Sequence, residues 1–156
     1  HMRNLALSKM IDIPPVWLLG MCGLAWFQSR HFDYGLSIDG AFTDLLSGLL
    51  IGAGLILMLL AVSEMRKQRT TVIPHLEAQK LVSTGIFKRS RNPIYLGDVL
   101  LLSGLILRWD AVLALPLIPV FFSILERRFI IPEENRLRVA FRLDFAKYCQ
   151  RVRRWV

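Results

Sequence analysis

Cysteine is scarce in this chain. The two that occur, Cys22 in an apolar run and Cys149 in a basic tail, share no metal-ligand spacing. There is no paired CxxC, no HExxH, no GxxxxGKS/T and no GxGxxG after a strand. The usual zinc, phosphate-loop and dinucleotide sites therefore have no residues to build them. His31 and His75 stand alone, without a ligand partner at a telling spacing. A disulfide is not expected, because the two thiols fall in different environments. Acidic residues number 12 against 20 Lys and Arg, for a net charge of +8. The most informative lack is that of charge inside the apolar stretches.

Apolar residues make up 54% of the 156 positions, and they come in blocks. Leu45 to Val62 runs 18 residues without a charge, the signal of a helix long enough to cross a bilayer. Three shorter runs, Ile13 to Phe27, Ile94 to Leu107 and Ala111 to Leu125, have 14 or 15 residues each. Each can lengthen at its ends, and Trp17, Trp26 and Trp109 suit the water–lipid boundary. The first run ends in Gln28-Ser29-Arg30 rather than a small-residue cleavage site, so no cleavable signal peptide is expected. His1-Met2 reads as the remnant of an expression tag.

The expectation is an all-α integral membrane protein with about four transmembrane helices. The last two form a tight hairpin, and a C-terminal cytoplasmic amphipathic helix follows. One membrane domain covers 1–156, with two N-terminal spans in 13–63 and a cytoplasmic loop in 64–92. The hairpin occupies 93–131 and the terminal helix 132–156.

On a soluble domain a charge of +8 would suggest nucleic acid, but the distribution argues against it. Arg3 and Lys9, seven Lys or Arg between Glu64 and Asn92, and nine from Arg127 onward give 18 of the 20 basic residues to one side of a four-span topology. The opposite loops hold only Arg30 and Arg108. By the positive-inside rule both termini and the middle loop are cytoplasmic, and anionic membrane lipid accounts for the charge without nucleic acid.

Gly48 and Gly52 have the spacing that lets another helix approach closely, with packing inside this chain favoured over dimerisation. Asp33, Gly35, Asp39 and Gly40 mark a polar turn between the first two spans. Only Arg108-Trp109-Asp110 joins the last two spans, which favours an antiparallel pair, and Pro116 and Pro119 are positioned to kink its second arm. Leu137, Phe141, Phe145, Tyr148, Val152 and Trp155 fall on one helical face among many arginines. Such a helix lies on the cytoplasmic leaflet, packs on its own protein, or does both.

The stretch KRSRNPIYLGD, Lys88 to Asp98, is where chemistry is most concentrated. Asn is a favoured helix N-cap and Pro a favoured first residue, so on these residues alone Asn92-Pro93 reads first as a plain helix start. Asp98, three residues beyond Tyr95, is an acid inside a membrane run, which marks either a functional site or an ion pair with a cytoplasmic-side neighbour. Glu133-Glu134 opens the terminal helix, where the dipole favours acids, on the same side as Asn92. The residues alone yield a polar cluster at the cytoplasmic end of a helical membrane protein, and no reaction.

Two motifs carry a resemblance. LVSTGIFKRSRNPIYLG, Leu81 to Gly97, and EENRLRVAFRLDFAKYCQRVRR, from Glu133, resemble the paired signatures of the isoprenylcysteine carboxyl methyltransferase and phospholipid methyltransferase superfamily. They occur in order, separated by a helical hairpin, and cover the chain from about Thr70 onward. The resemblance implies an integral membrane methyltransferase that uses S-adenosylmethionine, with a lipophilic or membrane-bound small-molecule acceptor. The acceptor is expected to be of carboxylate or thiol type, with a phospholipid amine as the alternative. A small four-helix transporter or assembly subunit is the rival outside enzymes. Oligomeric state is left open.

Carried over by position, Leu81, Val82, Phe87, Asn92, Pro93, Tyr95, Glu133 and Glu134 would form the cofactor site, with Gly85 as the turn glycine. Arg91, Asn92, Asp98 and Arg128 are candidates for catalysis or acceptor binding, with Arg127 beside them. Three departures stand out. Asn92 replaces the usual His, which removes a titrating imidazole; Phe145 replaces a Tyr, and Arg142 a Gly. The asparagine form resembles short bacterial relatives, so the inner membrane of a bacterium or archaeon is the expected location.

Overall fold

The structure is a computed structural model that describes residues 13–31, 35, 37–68 and 81–156. Arg3, Lys9, Asp33, Thr70 and His75, singled out above, lie outside the described residues. Among the described residues every regular element is helical. Five α-helices appear: α1 (Pro14–His31), α2 (Ala41–Lys67), α3 (Pro93–Arg108), α4 (Leu117–Leu125) and α5 (Ile131–Arg151). Short 3-10 turns at Gly85–Lys88 and Val112–Ala114 precede α3 and α4.

One described helix, α2, is long and apolar enough to cross a membrane, with 27 residues. Its outer face and that of α1 carry exposed apolar side chains, among them Leu19, Phe42, Leu49 and Leu59. In water so many exposed apolar side chains would be unfavourable; against acyl chains they are not.

The contact between α2 and α3 is made by missing side chains. Gly54 and Gly97 face each other so closely that a Cβ on either would lie 2.7 or 2.8 Å from the other's carbonyl oxygen. Further along, Gly104 approaches Ser47, whose hydroxyl donates to the Gly104 carbonyl at 2.7 Å. Ser47, Gly54 and Ala61, seven residues apart, are the buried positions of α2, the repeat that keeps one stripe of a helix against a neighbour. Here the structure corrects the expectation for Gly48 and Gly52. Both face open space, with nothing within 4 Å of a Cβ, because the packed stripe runs along a different face of the helix.

Two cores result. Met21 and Ala25 of α1, Tyr95, Val99, Leu102 and Ile106 of α3, and Phe121, Leu125 and Phe129 pack inside the bundle. A second cluster forms at one end, where Phe145, Tyr148 and Val152 meet Ala61, Val82 and Phe87. The apolar face of the terminal helix therefore packs on its own protein. Trp155 lies beyond the end of α5 and stacks on Phe122 with ring centroids 3.9 Å apart.

The helical path does not break at Pro132. From Leu117 to Arg151 it continues through a π-turn at Glu126–Ile130, where the Ile131 N–H donates to the Glu126 carbonyl. Proline has no N–H and its ring crowds the carbonyl four residues back; the widened turn supplies that room. Arg142 then bends α5 with φ 41 and ψ −107, a backbone region normally left to glycine.

Candidate active site

The chain segment entering α3 is shaped locally. Gly85 has φ +60, a left-handed conformation that favours glycine, and a Cβ there would crowd the Glu64 side chain. Thr84 donates to the Glu64 carboxylate, which ties the segment to the end of α2. α3 begins at Pro93 as the sequence indicates, with the Leu96 N–H donating to the Asn92 carbonyl at 3.0 Å. The Asn92 side chain does not cap the helix. Its Nδ2 instead donates to the Arg154 carbonyl at 2.9 Å, while the Arg91 N–H donates to the Arg153 carbonyl at 3.0 Å. The end of the chain is thus laid along Arg91-Asn92.

Glu134 is the centre of the charge arrangement. It is 6% exposed, and the Arg154 guanidinium grips it as a fork, Nε to Oε1 at 3.0 Å and Nη2 to Oε2 at 2.9 Å. Arg91 Nη1 donates to the same Oε1 at 3.1 Å and also to Cys149 Sγ at 2.9 Å. Arg138 approaches Oε2 at 3.9 Å. A buried carboxylate is tolerated when bidentate, charge-assisted bonds replace its water. Arg154 also reaches Glu126 through Nη1 at 2.8 Å. Hydrogen bonds to Glu134 and Glu126 raise the Arg154 pKa, and the bond from Arg154 holds the Glu126 carboxyl below its ordinary value.

Beside this knot, the Tyr95 hydroxyl donates to Glu133 Oε2 at 2.9 Å, and its ring stacks on Phe129. The Tyr148 hydroxyl donates to the Phe87 carbonyl at 2.7 Å; burial pushes its phenol pKa up. Val82, Phe87 and Pro93 are buried, and Leu81 reaches an open groove of about 440 Å³ with Phe141, Lys147 and Tyr148.

Of the residues proposed from sequence, Arg91, Asn92, Tyr95, Glu133 and Glu134 come together where α3, α5 and the chain end meet. Leu81, Val82 and Phe87 adjoin through the second core. Arg128 goes elsewhere, with its guanidinium 5.4 Å from the Trp17 ring centroid of α1. Arg127 is exposed. Asp98 is 3% exposed, and among the described residues no basic side chain pairs with it. The sequence reading missed Arg154, Glu126 and Tyr148 as parts of this junction. Arg154 had a signal, since it is the closing arginine of the second motif.

The phospholipid methyltransferase family model matches residues 42–143. The match covers most of the chain, from the start of α2 into α5, and the chain belongs to that family. Neither curated proteins nor solved structures give a significant match.

Proposed function

We propose that this protein transfers a methyl group from S-adenosylmethionine to a lipophilic, membrane-associated acceptor at the cytoplasmic membrane face. The observation that carries the reading is the convergence of the two motifs: Arg91, Asn92 and Tyr95 from one, Glu133 and Glu134 from the other, at the end of apolar helices. The topology that goes with it has four spans, both termini cytoplasmic, and a basic inner surface towards anionic lipid. Family membership supports methyl transfer to a lipid-type substrate.

The donor set suits the cofactor. Its amino-acid end needs an acid for the ammonium and a base for the carboxylate, and Glu133 and Arg91 offer these. Arg91 Nε is buried and meets no acceptor among the described residues, an unmet donor of the kind that marks a ligand-facing group. Leu81, with Phe141 on the groove, offers apolar contact for an adenosyl group. Glu134 has another role: with three arginines around it, it holds the junction and is not available as a base. When bound, the cofactor would supply a methyl activated on a positively charged sulfur, the new bond forming from the acceptor's electron pair as the carbon–sulfur bond breaks and the neutral thioether leaves. The protein's own contribution is alignment and exclusion of water. A carboxylate or thiolate acceptor needs no base. An amine acceptor must be deprotonated, and the family's phospholipid name favours this as the second reading.

Calorimetry of S-adenosylhomocysteine binding to the detergent-purified protein, beside Glu133→Ala, tests the proposal. Saturable binding by the wild type that the variant loses is expected. A folded, monodisperse wild type that binds nothing in detergent or in lipid would overturn the reading. Labelled S-adenosylmethionine with lipid thiols, carboxylates and amines then separates the acceptor classes.

A further inference from the structure

Asp98 is the one acid on α3, and the junction does not use it. It lies about one helical turn beyond Tyr95 and is 3% exposed, on a helix whose adjacent buried residues Val99 and Leu102 belong to the bundle core. Its Oδ2 is buried without a hydrogen-bond partner among the described residues. Among the described residues no arginine acts on it: Arg91 donates to Glu134 and Cys149, Arg154 to Glu134 and Glu126, and Arg128 lies over Trp17. Its electrostatic neighbours are the Cys22 thiol and the Tyr95 phenol, neither of them a cation. Tyr95 is also the residue that holds Glu133.

A buried carboxylate with no counter-charge is costly, and such groups are retained where a ligand completes them. We propose that Asp98 is the seat of an onium cation brought in by a ligand, the sulfonium of the cofactor or the ammonium of an amine acceptor. The inference rests on the methyltransferase reading. It follows from position as well as charge. The seat is one turn towards the membrane interior from the Tyr95–Glu133 pair, on the side from which a lipid acceptor arrives. The cofactor sulfonium is positive at the start with any acceptor; its charge is cancelled when a carboxylate or thiolate attacks, and it passes to the nitrogen when a neutral amine attacks, the amine having first given up its proton. Conversion of S-adenosylmethionine to S-adenosylhomocysteine removes the sulfonium charge, so a carboxylate facing it distinguishes cofactor from product.

The experiment compares wild type and Asp98→Asn by calorimetry with S-adenosylmethionine and with S-adenosylhomocysteine, and by turnover on a phospholipid bearing a primary amine. A cofactor sulfonium at the seat predicts a loss of at least about tenfold in S-adenosylmethionine affinity, with S-adenosylhomocysteine affinity unchanged. An acceptor ammonium there predicts an unchanged cofactor ratio and a KM for the amine lipid raised by about tenfold. If the folded variant alters neither, or loses both cofactor forms equally, the proposal is overturned while the methyltransferase reading stands. A wild type that binds neither form removes both. Asp98→Leu gives an independent readout without ligand: its melting temperature is expected to rise, and a fall would mean that the carboxylate is structural.

Discussion

The α2–α3 seam and the junction under α5 bring helices together by opposite means. At the seam, Gly54 and Gly97 have no side chains, and backbone meets backbone. At the junction, Glu134 binds two arginines from segments distant in sequence, and charge fills the space between elements. The seam depends on shape and tolerates nothing added. The junction depends on matched charge and tolerates nothing removed. The ion network lies where the apolar helices end, which suits the proposed methyl-transfer site.

Removing the centre of the junction should have the largest effect. Glu134→Ala leaves Arg91 and Arg154 facing each other without their shared carboxylate, a loss of about 3–5 kcal/mol by analogy with broken buried ion pairs. Denaturant titration in detergent measures it, and retention of wild-type stability would mean that the fork is not formed in solution.

The seam gives the next effect. Gly54→Leu drives a side chain into the Gly97 carbonyl and should cost about 1–3 kcal/mol or more. Gly48→Leu, on the open face of the same helix, should melt with the wild type. Equal losses at both positions would overturn the assigned packing face.

A smaller change, of opposite sign, is expected at the bend of α5. Arg142→Gly relieves a backbone conformation that costs a non-glycine residue about 1–3 kcal/mol, less the greater chain entropy of glycine. A net gain of about 1 kcal/mol is the expected outcome in the same titration. The motif that this stretch resembles has glycine at this position, which suits the observed backbone geometry.

The smallest effect is the pH dependence of the Glu126–Arg154 link. Its bond to Arg154 lowers the Glu126 pKa from the ordinary 4.5. The stabilisation is therefore complete above 4.5 and is lost as pH falls through the lowered folded-state value. Melting curves from about pH 7 to about pH 3 should show a shallower acid-side decline in Glu126→Gln than in the wild type. Identical declines would mean that the link adds nothing.

Much of this was legible in the sequence. The uncharged Leu45–Val62 run marked α2, Asn92-Pro93 marked the start of α3, and the periodic face from Leu137 to Val152 marked the buried side of α5. These features are local: an apolar run, a cap-and-proline pair and a 3.6-residue period have meaning without a partner. Gly48-x-x-x-Gly52 misled for the same reason. The spacing is local, while the choice of packing face depends on where α3 lies. Arg128 was singled out and Arg154 was not, yet Arg128 sits over Trp17 and Arg154 on Glu134.

The sequence by itself determined the helical class, the apolar α2, the concentration of positive charge and the two motifs, because hydropathy, periodicity and residue spacing are properties of the chain. Only the tertiary structure decided which glycines meet, which arginines hold Glu134, and that Asp98 Oδ2 has no hydrogen-bond partner among the described residues. Those outcomes depend on distances between residues far apart in the chain, and an interaction that acts within a few ångströms leaves no trace in sequence order.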